Sequence, residues 1–124
     1  MASHALIVED NSDVLKSLEA ALRSEGFSVH GASSFAAANR IVDAGKLPDD
    51  VLLIVDVALD QGESGVDLAV SIAKRMPSIR ILFISGFIDE LLMVHAGVPK
   101  ERVGFLGKPF EQSELMAAIK KLGG

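Results

Sequence analysis

Five short apolar segments alternate along the chain with longer segments in which apolar residues recur at helical spacing. Each short segment has four to six residues, too few for a buried helix. Apart from the weaker second segment, they are rich in the Val, Ile, Leu and Phe side chains that strands covered on both faces require. We therefore predict strands over residues 5–8, 27–32, 51–55, 79–84 and 103–106.

The intervening segments predict helices. Apolar stripes at helical spacing cover residues 14–22, 35–42, 68–76 and 115–122, and a further short helix is predicted over 88–95, before Gly97 and Pro99. Strict alternation of strand and helix predicts a doubly wound α/β fold, in which helices cover both faces of a five-stranded parallel sheet. Because no repeat or linker interrupts this pattern, we expect a single domain over residues 1–124.

Charge and hydropathy exclude several classes of function. The chain has 17 acidic and 12 basic residues, for a net charge of −5, and its basic residues are scattered. Direct nucleic-acid binding needs clustered Lys and Arg, so none is expected. The apolar segments are too short to cross a membrane, no signal peptide is recognised and cysteine is absent, so we expect a cytoplasmic protein without membrane contact.

Polar groups of complementary chemistry follow four of the five predicted strands. Glu9 and Asp10 follow the first, Asp56 the third, Ser85 the fourth and Lys108 the fifth. In open parallel α/β sheets, ligands bind beyond the carboxyl ends of the strands. Each residue alone has an ordinary structural explanation, such as a helix cap or a turn. Together they predict one site at this edge of the sheet.

The residue types at this edge indicate phosphoryl chemistry. Three crowded carboxylates repel one another unless a cation lies between them, and oxygen-only ligands suit Mg²⁺. A carboxylate beside such an ion, here Asp56, can attack a phosphoryl donor and form an acyl phosphate. Lys108 and the Ser85 hydroxyl would then contact the phosphoryl oxygens.

Four motifs carry a family resemblance over essentially the whole chain. The chain resembles response-regulator receiver domains of two-component signalling, which implies a flavodoxin-like (βα)5 fold with strand order 2-1-3-4-5. The motifs are Leu6-Ile7-Val8-Glu9-Asp10-Asn11, then Leu53-Ile54-Val55-Asp56 followed by Leu59 and Gly65, then Phe83-Ile84-Ser85-Gly86, and finally Phe105-Leu106-Gly107-Lys108-Pro109-Phe110.

The resemblance implies roles for the residues around the metal. Asp56 is expected to be the phosphoacceptor and, with Asp10, a direct ligand of Mg²⁺. Glu9 is expected to act on the ion through water, and the backbone carbonyl of Ala58 to complete the protein ligands.

Further roles concern switching and phosphate loss. Ser85 and Phe105 correspond to the two switch residues, Lys108 to the phosphoryl-binding lysine, and the peptide bond before Pro109 is expected to be cis. Ala58 and Phe87 are expected to border the approach of the hydrolytic water. Because neither side chain can orient that water, slow self-dephosphorylation is expected.

Two departures bear on the subclass. Where the family commonly has Pro and Gly in the acceptor loop, this chain has Asp60 and Ser64, with Gly65 one residue later, so the loop is one residue longer. The helix over 88–95 is also short. Both features resemble stand-alone receivers, or those associated with hybrid kinases, more than the receivers of DNA-binding regulators.

The resemblance also implies partners. The phosphoryl donor is expected to be a phosphohistidine on a histidine kinase or a histidine phosphotransfer protein. Output is expected through a protein target that contacts the face made by the helix over 88–95, the fifth strand and the last helix. No catalysis is expected beyond the domain's own phosphorylation and dephosphorylation.

Two other interpretations remain open at the level of sequence. A phosphatase of the haloacid dehalogenase type needs an acid two residues after its nucleophile, where this chain has Ala58. The second interpretation is a receiver-like binding module that is never phosphorylated, although no residue required for phosphorylation is missing here.

Overall fold

The predicted alternation of strands and helices is confirmed in the computed structural model, which describes residues 3–57, 64–86 and 100–122. The predicted helix over 88–95 lies outside these residues. None of the helices within them is long and apolar enough to cross a membrane. The elements are β1 (Ser3–Val8), α1 (Ser12–Ser24), β2 (Phe27–Ala32), α2 (Phe35–Asp43), β3 (Leu52–Asp56), α3 (Gly65–Arg75), β4 (Arg80–Ser85), a 3-10 turn (Lys100–Arg102), β5 (Val103–Gly107) and α4 (Gln112–Lys121).

All five strands form one parallel sheet in the order β2-β1-β3-β4-β5, which confirms the expected topology. Three strands end one residue later than the apolar segments predict, at Asp56, Ser85 and Gly107. The ladder continues onto the polar residues, because Asp56 pairs with Ile84 and Ser85 pairs with Gly107. The backbones of Asp56 and Ser85 are therefore held by the sheet itself.

Alternating side chains of the strands form two cores, one on each face of the sheet. Leu53 and Val55 of β3 pack on the face covered by α2 and α3, whereas Leu52 and Ile54 pack on the face covered by α1 and α4. All five residues of β3 are buried, as expected for the central strand of a sheet covered on both faces. Asp56 thus ends the most deeply buried strand.

The helices that follow the strands begin at side chains that cap them. Asn11 Oδ1 accepts hydrogen bonds from the backbone N–H groups of Asp13 and Val14 at the start of α1, and Ser64 Oγ accepts one from Asp67 at the start of α3. Such caps satisfy N–H groups that have no partner within the helix. The Asn11 cap turns the chain into α1 directly after Glu9 and Asp10.

Candidate functional site

Glu9 and Asp10 extend from the end of β1. The Glu9 N–H donates to the Ala32 carbonyl at 3.0 Å, so pairing with the neighbouring strand continues one residue past β1. This bond places Glu9 inside the edge of the sheet, where it is only 1% exposed. Asp10 follows at the rim and is half-buried.

Asp56 lies at the centre of the same edge and is 8% exposed. Beyond it, the Val57 N–H donates to the Ile84 carbonyl at 2.9 Å. The chain therefore stays hydrogen-bonded to β4 for one residue after β3 ends. The Asp56 backbone is thus held by β3 pairing before it and by this bond after it.

Lys108 brings a positive charge to these carboxylates from the last strand. Its N–H donates to the Ser85 carbonyl at 2.8 Å, and its Nζ donates to Asp56 Oδ2 at 2.5 Å. The same Nζ lies 3.4 Å from Glu9 Oε1 and 3.5 Å from Glu9 Oε2. The peptide bond between Lys108 and Pro109 is cis.

Burial and the neighbouring Asp56 together change the pKa of Glu9. Burial, followed by a hydrogen bond with Asp56 and the negative charge of Asp56, raises the pKa of the Glu9 carboxyl from 4.5 to about 7, against the opposing effect of Lys108. Burial by itself lowers the pKa of Lys108. The hydrogen bond to Asp56 and the charges of Glu9 and Asp56 outweigh it, so the net shift of that pKa is upward.

The three acids form a group suited to a hard cation. One carboxylate oxygen from each of Glu9, Asp10 and Asp56 lies within 4.8 Å of the other two. These oxygen donors and their excess negative charge match the preference of Mg²⁺ for one or two carboxylates plus water.

Ser85 and Phe105 lie on the adjacent strands β4 and β5. Phe105 is half-buried and stacks on Phe83, with which it is paired in register, and Ser85 is paired with Gly107. Residues two apart on a strand point to the same face. Ser85 therefore lies on the face of the sheet that carries the Phe83–Phe105 stack.

Two of the predicted site residues, Ala58 and Phe87, lie outside the described residues. Gly65, by contrast, is described and contacts the site, although the sequence indicated no such role for it. It opens α3, and its N–H donates to the Val57 carbonyl at 2.8 Å, one residue after Asp56. The place of Gly65 in the motif that follows Asp56 is the sequence signal that could have identified this contact.

A groove of about 710 Å³ runs beside Lys108, between α1 and the segment that joins β5 to α4. Val14 and Leu18 of α1 line one wall, and Phe110 and Leu115 line the other. The groove is mainly apolar and begins next to the acidic edge.

Comparisons with known proteins agree with this geometry. The family model described as response regulator receiver domain matches residues 5–120. The chain is 30% identical over 118 residues to the sensor kinase CckA of Brucella abortus, covering 94% of this chain and 12% of the kinase. It is 33% identical over 116 residues to the cell cycle transcriptional regulator CtrA of Caulobacter vibrioides, covering 92% of this chain and 47% of the regulator.

A solved structure shows the same fold. The crystal structure of a response regulator receiver protein from Sinorhizobium medicae superposes with a TM-score of 0.80 at 29% identity, covering 99% of this chain and 96% of that one. The chain thus spans less than half of the two curated relatives but nearly the whole of this receiver protein. The curated relatives include both a kinase and a transcriptional regulator, so they do not distinguish receivers associated with kinases from those of DNA-binding regulators.

Proposed function

The chain belongs to the response regulator receiver family, and on that premise we propose that Asp56 accepts a phosphoryl group from a phosphohistidine on a partner protein. Receivers are signalling domains of two-component systems, bind Mg²⁺ at an acidic pocket and interact with histidine kinases. The observation that carries the proposal is the bond of 2.5 Å between Lys108 Nζ and Asp56 Oδ2, within a group of three carboxylates.

In the transfer, an Asp56 oxygen attacks phosphorus while the bond from phosphorus to the donor's imidazole nitrogen breaks. The electron pair of that bond remains on the imidazole, and an acyl phosphate forms on Asp56. Mg²⁺ held by Asp10, Asp56 and the Ala58 carbonyl, with Glu9 acting through water, would neutralise charge on the phosphoryl oxygens. Lys108 already contacts the acceptor and would pair with a phosphoryl oxygen.

Phosphorylation would switch the domain through Ser85 and Phe105. The added charge and acceptor oxygens at Asp56 would attract the Ser85 hydroxyl. The stack of Phe105 on Phe83 lies on the same face, so a movement at the end of β4 would change its packing. The resulting change would reach a protein target through β5, α4 and the segment 88–95.

Hydrolysis would end the signal. Water attacks phosphorus, the bond to the Asp56 oxygen breaks, and inorganic phosphate leaves. Because Ala58 and Phe87 offer no group to orient that water, self-dephosphorylation would be slow. Residues 1–124 would form a single cytoplasmic domain that acts through protein contact and does not bind nucleic acid directly.

The groove beside Lys108 provides a place for the donor to dock. A phosphohistidine can reach Asp56 only if its protein covers the acidic edge, and the apolar groove begins there. We assign it to the apolar face of a donor helix, since apolar side chains at helical spacing fit a groove of this kind.

A small-molecule phosphodonor tests the proposal without the partner. Incubation with acetyl phosphate and Mg²⁺ should add the mass of one phosphoryl group, and Asp56→Asn should abolish the gain because the nucleophile is lost. Asp50→Asn is the matched control, since Asp50 is exposed and lies before β3, far from the acidic edge. Equal gain in Asp56→Asn and wild type would show that Asp56 is not the acceptor.

A further inference from the structure

Gly65 approaches the backbone of the acceptor more closely than any larger residue could. A Cβ atom at this position would overlap the Asp56 carbonyl oxygen and lie 2.8 Å from the Asp56 carbonyl carbon. It would also lie 3.1 Å from Cγ2 of Val55. The first turn of α3 therefore rests directly against the end of β3.

A hydrogen bond joins the same two elements. The Gly65 N–H donates to the Val57 carbonyl at 2.8 Å, while the Val57 N–H donates to the Ile84 carbonyl at 2.9 Å. Val57, the residue after Asp56, is thus held by β4 through its N–H and by the start of α3 through its carbonyl. Because the sheet holds β4 in place, a displacement of α3 would not move the whole sheet. It would instead act on Asp56 and Val57, which α3 contacts directly.

Two other glycines, Gly31 and Gly104, also have close neighbours, but those neighbours are side-chain atoms. A Cβ at Gly104 would meet Leu82 Cδ1 at 3.3 Å and Leu122 Cδ2 at 3.4 Å, and one at Gly31 would meet Glu19 Oε2 at 2.9 Å. These atoms are the ends of flexible side chains, which can move aside. At Gly65 the overlapping atom belongs to the backbone of the acceptor itself.

We propose that Gly65 is a positioning residue for Asp56, an inference that rests on the proposed phosphorylation of Asp56. It lets α3 support the acceptor strand and so fixes the direction from which the carboxylate meets phosphorus. Displacing a reacting group by about 1 Å can slow a reaction by about a hundredfold. Gly65→Ala should therefore slow phosphorylation by about 10- to 100-fold per folded molecule.

The experiment measures the rate of phosphoryl gain from acetyl phosphate at saturating Mg²⁺, divided by the folded fraction from circular dichroism. Wild type, Gly65→Ala and the control Gly104→Ala are compared, and the Asp56 and Val57 amide shifts are recorded in the unphosphorylated proteins. If the inference is correct, Gly65→Ala gains the phosphoryl group slowly and its Asp56 and Val57 amide resonances are shifted. Gly104→Ala gains it at the wild-type rate. A wild-type rate in Gly65→Ala would overturn it.

A second pair of variants covers the case in which Gly65→Ala does not fold. Ser64→Ala removes the hydroxyl that caps α3 and loosens its first turn without adding an atom. Ser34→Ala does the same to α2, where the Ser34 hydroxyl accepts from Ala37. The inference expects Ser64→Ala to slow phosphorylation by about two- to fivefold, a small part of what correct positioning contributes, and Ser34→Ala to leave it unchanged. Equal rates would overturn it.

Phosphoryl gain by the wild-type protein distinguishes failure of the positioning role of Gly65 from failure of the proposed function of Asp56. Phosphoryl gain in wild type together with unaffected Gly65 and Ser64 variants would contradict the positioning role alone. A wild type that gains no phosphoryl group would contradict the proposed function, and the positioning role with it.

Discussion

The ring of Phe105 stacks on the ring of Phe83, with centroids 5.4 Å apart and planes 25° from parallel. Phe83 is fully buried in the core beneath α2 and α3, whereas Phe105 is half-buried on the outer strand β5. Aromatic pairs of this kind contribute about 0.5–1.5 kcal/mol beyond the burial of their area. The stack links the surface of β5 to the interior and to the strand that ends in Ser85.

We predict that Phe105→Leu weakens the response of β5 to phosphorylation. Addition of Mg²⁺ and beryllofluoride, a phosphoryl mimic, should shift the amides of Asp56 and Ser85 in both wild type and variant. Shifts along β5 should be about half as large in the variant because the ring that couples the strands is lost. NMR amide spectra measure the shifts at Asp56 and Ser85 and those along β5. Phe27→Leu in β2 is the matched control. Full β5 shifts in Phe105→Leu would contradict this role.

The pKa of Glu9 predicts how the metal-free domain responds to pH. Since this pKa is about 7 in the folded state and 4.5 in the reference state, the folded protein binds the extra proton more readily than the unfolded chain. The free energy of unfolding therefore falls as pH rises from 4.5 to about 7, by an amount on the order of 3 kcal/mol. Thermal unfolding in EDTA should show a melting temperature that decreases between about pH 5 and about pH 7 and levels off by about pH 8.

Glu9→Gln isolates this contribution because glutamine cannot ionise. The variant should melt above wild type at about pH 8 and should lose most of the dependence on pH. Effects of the histidines are common to both proteins and cancel in the difference. If the two proteins changed in parallel over this range, Glu9 would not be the group responsible.

Mg²⁺ affinity should depend unequally on the two acids that follow β1. Asp10 is half-buried at the rim, whereas Glu9 is buried and already contacts Lys108. Asp10→Asn should weaken Mg²⁺ binding by about a hundredfold, and Glu9→Gln by about tenfold, as expected for a group that acts through a water ligand. Calorimetric titration measures both, with Asp13→Asn as a control of equal charge change. Negligible effects in both site variants would rule out this metal site.

Donor docking should be separable from the chemistry at Asp56. Ser17 is exposed on α1 and lines the groove beside Lys108, so Ser17→Arg should obstruct a donor helix. Transfer from a phosphorylated histidine phosphotransfer protein should slow about tenfold, because an unpaired charge in an apolar contact weakens association. Transfer from acetyl phosphate should not change.

Ala36→Arg adds the same charge at an exposed position of α2, outside the groove, and serves as the control. Equal slowing in the two variants would indicate a general effect of charge, and no slowing in Ser17→Arg would place the donor elsewhere.

The sequence predicted the sheet and the members of the acidic edge because both depend on local patterns. Buried parallel strands appear as apolar segments and their carboxyl ends share one edge of the sheet, so the positions of Glu9, Asp10, Asp56, Ser85 and Lys108 at that edge could be predicted. The strand ends were less predictable, because hydrogen bonding continues onto polar residues that the apolar pattern excludes.

Contacts between distant residues could not be predicted in the same way. The approach of Gly65 to Asp56 depends on how α3 packs against β3, and the stack of Phe105 on Phe83 depends on register between strands. Neither follows from hydrophobic periodicity. The pKa of Glu9 likewise depends on its burial and on which charges lie around it, which sequence spacing does not specify.

The contact between Lys108 and Glu9 joins residues that are 99 positions apart in the chain. Because Glu9 follows β1 and Lys108 follows β5, their contact requires the outer strand to have docked on a sheet that already holds β1. Parallel sheets close long loops and therefore fold late and slowly. A chain emerging from the ribosome cannot assemble this constellation until β5 has been synthesised and has joined the sheet. On the proposed role of Asp56, a copy in which β5 has not yet joined the sheet would lack Lys108 beside the acceptor and would be a poor substrate for phosphoryl transfer.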